Sequence, residues 1–272
     1  MSSAILRVGL VFIAVSPLRP QTQPPATGSQ GVVWPGPFYE ARPLYEVARL
    51  LKDRYRKAVT YEEPIWLWHG DSVATGRDPD GPFDWSPKDR RFVIPDGLQR
   101  SPDLHLALLK RIVEAYNTQN NDGTLFQATE SRFGMHIVPR QMHNAQGELV
   151  AANNLLDAPI SVPPALRMPS EHFQALCDAV TAQGSGALRF FYKGLDIAFE
   201  PNGLRPPKAA AELLTAKEKE PYSMVWGASD MPAREALLRL IDLSATKWTW
   251  YLLCHPSAKP EHRFCVLNMD VM

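Results

Sequence analysis

Apolar residues recur at helical spacing in four stretches of the chain, and short apolar runs flank each of them. The first stretch opens Arg42-Pro43-Leu44-Tyr45-Glu46-Val47-Ala48-Arg49-Leu50-Leu51. The second opens Ser101-Pro102-Asp103-Leu104 and runs to about Asn117, with Ser101 as a natural N-cap. In the third, Met168-Pro169-Ser170-Glu171 leads to Phe173, Leu176, Cys177 and Val180, an i, i+3, i+4, i+7 stripe. The fourth opens Asp230-Met231-Pro232-Ala233 and carries Leu237, Leu240 and Ile241 on one face. Each start reads as a helix with proline in the first turn, where the missing N–H costs nothing.

Strand-like runs give these helices a recurring setting. Phe92-Val-Ile94 precedes the second, and 124–128 and 134–138 follow it, turning near Ser131-Arg132. Tyr222-Ser-Met-Val-Trp226 precedes the fourth, and 248–253 and 263–268 follow it. Both units read β-α-β-β. The first and third helices close in 58–62 and 187–192 and read β-α-β. Pro43 and Pro102 are 59 positions apart, Pro169 and Pro232 are 63 apart, and the half-to-half offsets are 126 and 130. The expectation is an α+β fold of internally duplicated small βαβ/βαββ units, with helices packed on one face of short mixed sheets. The halves span 31–145 and 150–272. A small unit buries one helix face against one sheet face, which is a physical reason to keep units in tandem.

Residues 1–30 have a different character. A short start ending in Arg7 precedes the apolar run Val8–Val15, and a polar, proline-rich segment follows. That is the shape of a secretory signal and linker. Ala14 and Ser16 sit at cleavage spacing with Pro17 next, and the competing reading is a buried N-terminal strand. Export implies an extracytoplasmic place, periplasmic or secreted, with no membrane span in the mature chain. No run approaches the roughly 18 apolar residues of a span.

Charge narrows the partners. The 29 basic and 29 acidic residues cancel, which argues against nucleic-acid binding. The apolar fraction of 45% permits a sizeable core, and 25 prolines spread along the 272 residues read as many short elements joined by stiff turns.

The fourth unit resembles the short secretin and TonB N-terminal domain family. The likeness lies in Ala233-Arg-Glu-Ala-Leu-Leu-Arg-Leu-Ile241, then Ser244-Ala-Thr-Lys-Trp-Thr-Trp250, then a strand ending Cys265-Val-Leu-Asn268. Residues 42–62 resemble its helix-to-strand half more faintly, so the likeness covers about a sixth of the chain. It is a packing pattern and implies a periplasmic adaptor or signalling module without catalytic residues. No secretin, barrel or plug segment follows, so the partner is not implied.

Candidate chemistry is sparse. Cys177 lies on the third helix's apolar stripe and reads as core packing. Cys254 and Cys265 flank the tip of the last hairpin, where facing positions are close enough for a bridge. The alternatives are two free thiols, or a metal site with His255 and His262 whose spacing departs from zinc patterns. Adjacent Glu62 and Glu63 point to opposite faces of a strand and cannot act as a carboxylate pair. Asp78, Asp80 and Asp84 suggest a calcium loop, but Pro82 takes a ligand position. Tyr61, Trp66, Trp68 and Trp85, with Phe83 nearby, form an aromatic excursion that either caps a small core or makes a platform for a sugar or peptide. His69 and Asp71 read as a surface turn, and His136, His143 and His172 have no assignable partner. No nucleophile elbow, H-E-x-x-H, Walker loop or G-x-G-x-x-G occurs.

These readings favour a binding, assembly or signalling module of the cell envelope. It would contact a protein partner through open sheet edges, without cofactor, metal or catalytic residues. Contact regions would be the 61–85 excursion and the terminal hairpin. Alternatives are a carbohydrate or peptide binder using the excursion, and an envelope hydrolase with a site assembled from distant residues.

Overall fold

The computed structural model describes residues 38–76, 85–184, 187–191 and 222–272. The signal-like segment 1–30, the aspartates at 78, 80 and 84, and Phe83 lie outside them. The fold is α+β with mixed sheets.

In the first half, β1 (Phe38–Glu40), α1 (Pro43–Tyr55) and β2 (Val59–Glu62) are followed by β3 (Ser72–Ala74), β4 (Trp85–Pro87) and β5 (Arg90–Phe92). Then come α2 (Asp96–Gln99), α3 (Leu106–Gln119), β6 (Leu125–Ser131), β7 (Gly134–His143) and β8 (Leu149–Ala151). The second half holds β9 (Pro159–Arg167), α4 (Pro169–Ala182), β10 (Ala187–Phe191), β11 (Met224–Pro232), α5 (Ala233–Ile241), β12 (Trp248–His255) and β13 (Phe264–Val271).

Strands from both halves share one sheet, in the order β10-β13-β12-β2-β7-β6, with β8 also pairing β7. This differs from the separate short sheets expected of small units. Within it, β2 runs parallel to β7 and β7 antiparallel to β6; β10 runs parallel to β13 and β13 antiparallel to β12. Three antiparallel ribbons stand apart, β1 with β5, β9 with β11 and, in the first half alone, β3 with β4. The order of the other pairings is therefore the same in the two halves. The parallel contact of β12 with β2, Tyr251↔Tyr61 and Leu252↔Glu62, joins them.

The join works because β12 is covered on both faces, the mark of a central strand. Trp248, Trp250, Leu252 and Cys254 enter a core with α4, α5, β9 and β11. Tyr251 enters a second core with α1, α3, β1 and β5, and Leu253 packs against it. Alternation along a strand places those cores on opposite faces of the sheet. Tyr45 of α1 crosses the join, 5.0 Å edge-on from Tyr251 and 6.1 Å from Tyr61.

Proline starts α1 and α4 as expected, and the Glu171 carboxylate accepts from Met168 N at 3.0 Å to cap α4. The second helix departs from expectation. α3 begins at Leu106, and its cap is His105, whose Nδ1 accepts from Leu108 N at 3.2 Å. Ser101 and Pro102 belong instead to a turn: Ser101 Oγ donates to Asp103 O, and Lys57 holds Asp103 and the Leu104 carbonyl. That turn drives Leu104 into the core at 0% exposure. Pro232 is likewise the residue before α5 and ends β11.

Candidate functional site

The residues flanking the join concentrate the molecule's buried charge. Glu62 and Glu63 point to opposite faces, as adjacent strand residues must. On one face Arg234 at the start of α5 holds Glu62 through two bonds, 2.9 and 2.7 Å, and also pairs with Asp157. Burial alone would lower the Arg234 pKa, but the two carboxylates raise it. On the other face Arg42 Nε donates to Glu63 Oε1 at 2.8 Å and its Nη2 to the Cys254 carbonyl at 3.0 Å. Glu63 also accepts from Cys254 N at 2.7 Å and from the Tyr61 hydroxyl at 3.3 Å. Burial nonetheless raises the Glu63 carboxyl above the ordinary range, outweighing Arg42. These pairs tie the halves together.

His136 lies beside the same join. Its Nδ1 is 2.9 Å from Thr60 Oγ1, its Nε2 is 2.7 Å from Ser131 Oγ, and its ring sits 5.3 Å from Trp250. Burial first, then the charge of Arg234, pushes its pKa down to about 4. An unfolded histidine takes a proton near pH 6.5. The stability His136 contributes is thus complete above that value and is lost as pH falls toward 4. His136 should account for about 2 kcal/mol of the stability lost between pH 7 and pH 5 in urea unfolding, a share that His136→Gln removes while leaving that of His255, whose pKa burial also lowers to about 4. An unchanged slope in that variant would refute the assignment.

The aromatic excursion is placed mostly against the protein itself. Tyr61 is buried at 2% exposure, packed on Phe126. Trp66 donates its indole N–H to the Cys254 carbonyl at 3.1 Å, and Trp66 and Tyr61 share the wall of one small cavity. Trp68 meets His143 edge-on at 4.6 Å and lies against Gly147, where φ is 83° and a Cβ would sit 2.8 Å from the indole. Trp85 tilts over His69 at 5.3 Å.

Asp71, expected in a surface turn, is instead buried at 4% and accepts from His143 Nδ1 at 2.7 Å. Arg90 lies 3.6 Å from the other Asp71 oxygen. The pair fastens the excursion to β7, and only a fold that brings positions 72 apart together could reveal it. His172 is spent on α4, where it bonds the Met224 carbonyl at 2.8 Å and meets Trp226 edge-on.

Cys254 and Cys265 face each other in the β12–β13 ladder and form a disulfide. Cys177 is free and buried, and burial pushes its thiol pKa up. Among the described residues, no group of three or more His, Cys, Asp or Glu is placed to hold a metal, and no helix is long and apolar enough to cross a membrane.

The open surfaces of the described residues include two with apolar side chains. One is a cleft of about 680 Å³ at the amino ends of β2 and β12. The other is the outer face of the β9–β11 ribbon. Its inner residues Ile160, Val162, Met224 and Trp226 are core, whereas Val225 and Leu166, directly opposed, are 68% and 53% exposed. Comparison with known proteins finds no matching family model, no matching curated protein and no matching solved structure.

Proposed function

We propose that the chain is a non-catalytic binding module of the cell envelope, working outside the cytoplasm and meeting a protein partner at an open strand edge. The observation that carries this reading is the β9–β11 ribbon. β9 contains Pro159, Pro163 and Pro164, which have no N–H to offer a further strand. β11 keeps every N–H from Met224 to Met231, and among the described residues it pairs only with β9. The Met224 carbonyl is taken by His172 and the Asp230 N–H by Ser161 Oγ. Between them, among the described residues, the Val225–Ser229 backbone bonds nothing outside the ribbon, and that stretch, beside the apolar pair Val225–Leu166, suits addition of a partner strand.

The disulfide supports a place in an oxidising compartment. The order α5, β12, β13 agrees with the packing pattern of the short secretin and TonB N-terminal domains, and the recurrence of the pairing order agrees with two such units in tandem. The internal contacts of Tyr61, Trp66, Trp68 and Trp85 favour the capping role of these rings over a glycan platform.

The test is a photocrosslinking residue at Val225, with Lys110 on the exposed face of α3 as control, in cells that make the full chain. A protein adduct of defined mass at 225 and none at 110 supports the reading. No adduct at 225, or the same pattern at both positions, overturns it.

A further inference from the structure

The geometry points to the cleft at the amino ends of β2 and β12 as a binding site for a small organic anion with an aromatic body. The space exists because the joined strands part there. β2 and β12 pair directly only at two positions, and Thr249 Oγ1, donating to the Val59 carbonyl at 2.8 Å, holds them one step further back. Beyond that each strand end turns to another partner: the Ala58 carbonyl accepts from Met135 N and the Lys247 carbonyl from Met272 N, both at 3.0 Å. The β6–β7 turn and the α5–β12 loop then form the two sides. Gly134 keeps the β7 end tight against β2, since a Cβ there would lie 2.5 Å from the Ala58 carbonyl oxygen.

The volume of about 680 Å³ lies within the usual range for small-molecule sites, roughly 300–1,000 Å³. The lining combines apolar side chains with charge of both signs, and Glu130 stands there without an ion-pair partner among the described residues. Phe133, Met135, Ile241 and Trp248 supply apolar surface. Around them stand Arg56, Lys57, Arg132 and Lys247 against the carboxylates Glu130 and Asp242. Asp103 occupies Lys57 at 2.8 Å, and Asp242 occupies Arg132 at 3.4 Å. Arg56 and Lys247 are exposed and have no ion-pair partner among the described residues.

Arg56 is also held in an uncommon conformation. It closes α1 at φ 52°, a left-handed position that glycine or asparagine fills at lower cost, and its N–H caps the Lys52 carbonyl. A planar ring would lie against the apolar lining, where Arg132 already sits over the Phe133 ring at 4.6 Å, with its acidic group drawn to Arg56 and Lys247. This site is separate from the β11 edge, so either proposal can fail alone.

The probe is 8-anilinonaphthalene-1-sulfonate, followed by fluorescence with the full chain. Saturable binding at one site per chain is expected, and Arg56→Glu with Lys247→Glu should weaken it roughly tenfold or more. A matched double reversal on the far face of α3, Lys110→Glu with Arg111→Glu, should leave it unchanged. The neutral analogue N-phenyl-1-naphthylamine should bind at least about tenfold more weakly. Both variants change exposed side chains, and an unaltered melting temperature checks their folding. Absent or non-saturable binding, equal weakening by both double variants, or equal affinity for the neutral analogue overturns the assignment.

Discussion

Arg42→Met is expected to lower the unfolding free energy by about 3–4 kcal/mol at neutral pH. The substitution keeps most of the side chain's length and removes its charge. Glu63 would then stay at 0% side-chain exposure without its cation, keeping only Cys254 N and the Tyr61 hydroxyl as donors. The Cys254 carbonyl would also lose one of two donors, leaving the Trp66 indole. An unpaired buried charge is costly because neither water nor a counter-ion replaces the lost partner.

The sign of the pH dependence separates this cause from lost packing. Burial already raises the Glu63 pKa in the folded protein. Losing Arg42 raises it further, so folding is penalised more as pH climbs through the folded value and less where the carboxyl is protonated. The deficit relative to the parent should therefore shrink on acidification, and Glu63→Gln placed on Arg42→Met should recover part of it. Urea unfolding of the three proteins at two pH values gives the answer. A deficit under about 1 kcal/mol, or one that does not vary with pH, would show that the pair does little for the fold.

How far the sequence could be read depended on whether a signal was local. α1 and α4 were legible from a proline and an apolar stripe within a dozen residues. Pro102 misled because the same proline-after-serine signal also suits a turn, and only Lys57, 47 positions before Leu104, fixes which one forms. The helices and strands of an α+β fold were legible, but the merging of strands from both ends of the chain into one sheet was not. That join rests on β2 and β12, about 190 positions apart.

A trace of the join is present in hindsight. Trp248–Leu253 is apolar on both faces apart from Thr249, as a doubly covered strand requires. β6, which holds the matching place in its own trio of strands, alternates buried Phe126 and Ala128 with exposed Gln127 and Thr129, and remains an edge. The site followed the same rule. The tryptophans were conspicuous, but what each ring touches, and the Asp71–His143 pair, depends on residues distant along the chain.

Replacing both bridged cysteines, Cys254→Ala with Cys265→Ala, should lower stability by about 3 kcal/mol. The bridge spans 11 positions, and closing a loop of that length removes about this much conformational freedom from the unfolded chain. Both cysteines are buried at 1% exposure among the side chains of the α4–α5 core, so the alanines also leave space unfilled. The reduced parent should fall toward the variant's stability, whereas the variant itself should not respond to reductant. Alkylation of the native oxidised protein should modify no cysteine, because Cys177 is buried and its thiol pKa raised. Unfolding without reductant should expose Cys177 alone, and unfolding with reductant all three cysteines. Three alkylated cysteines without reductant would dissolve both the bridge and the compartment argument built on it. One alkylated cysteine, together with a 3 kcal/mol loss that reductant reproduces, would tie the stability of the β12–β13 hairpin to an oxidising environment. Because β12 is also the strand that joins the halves, that dependence would reach the whole sheet.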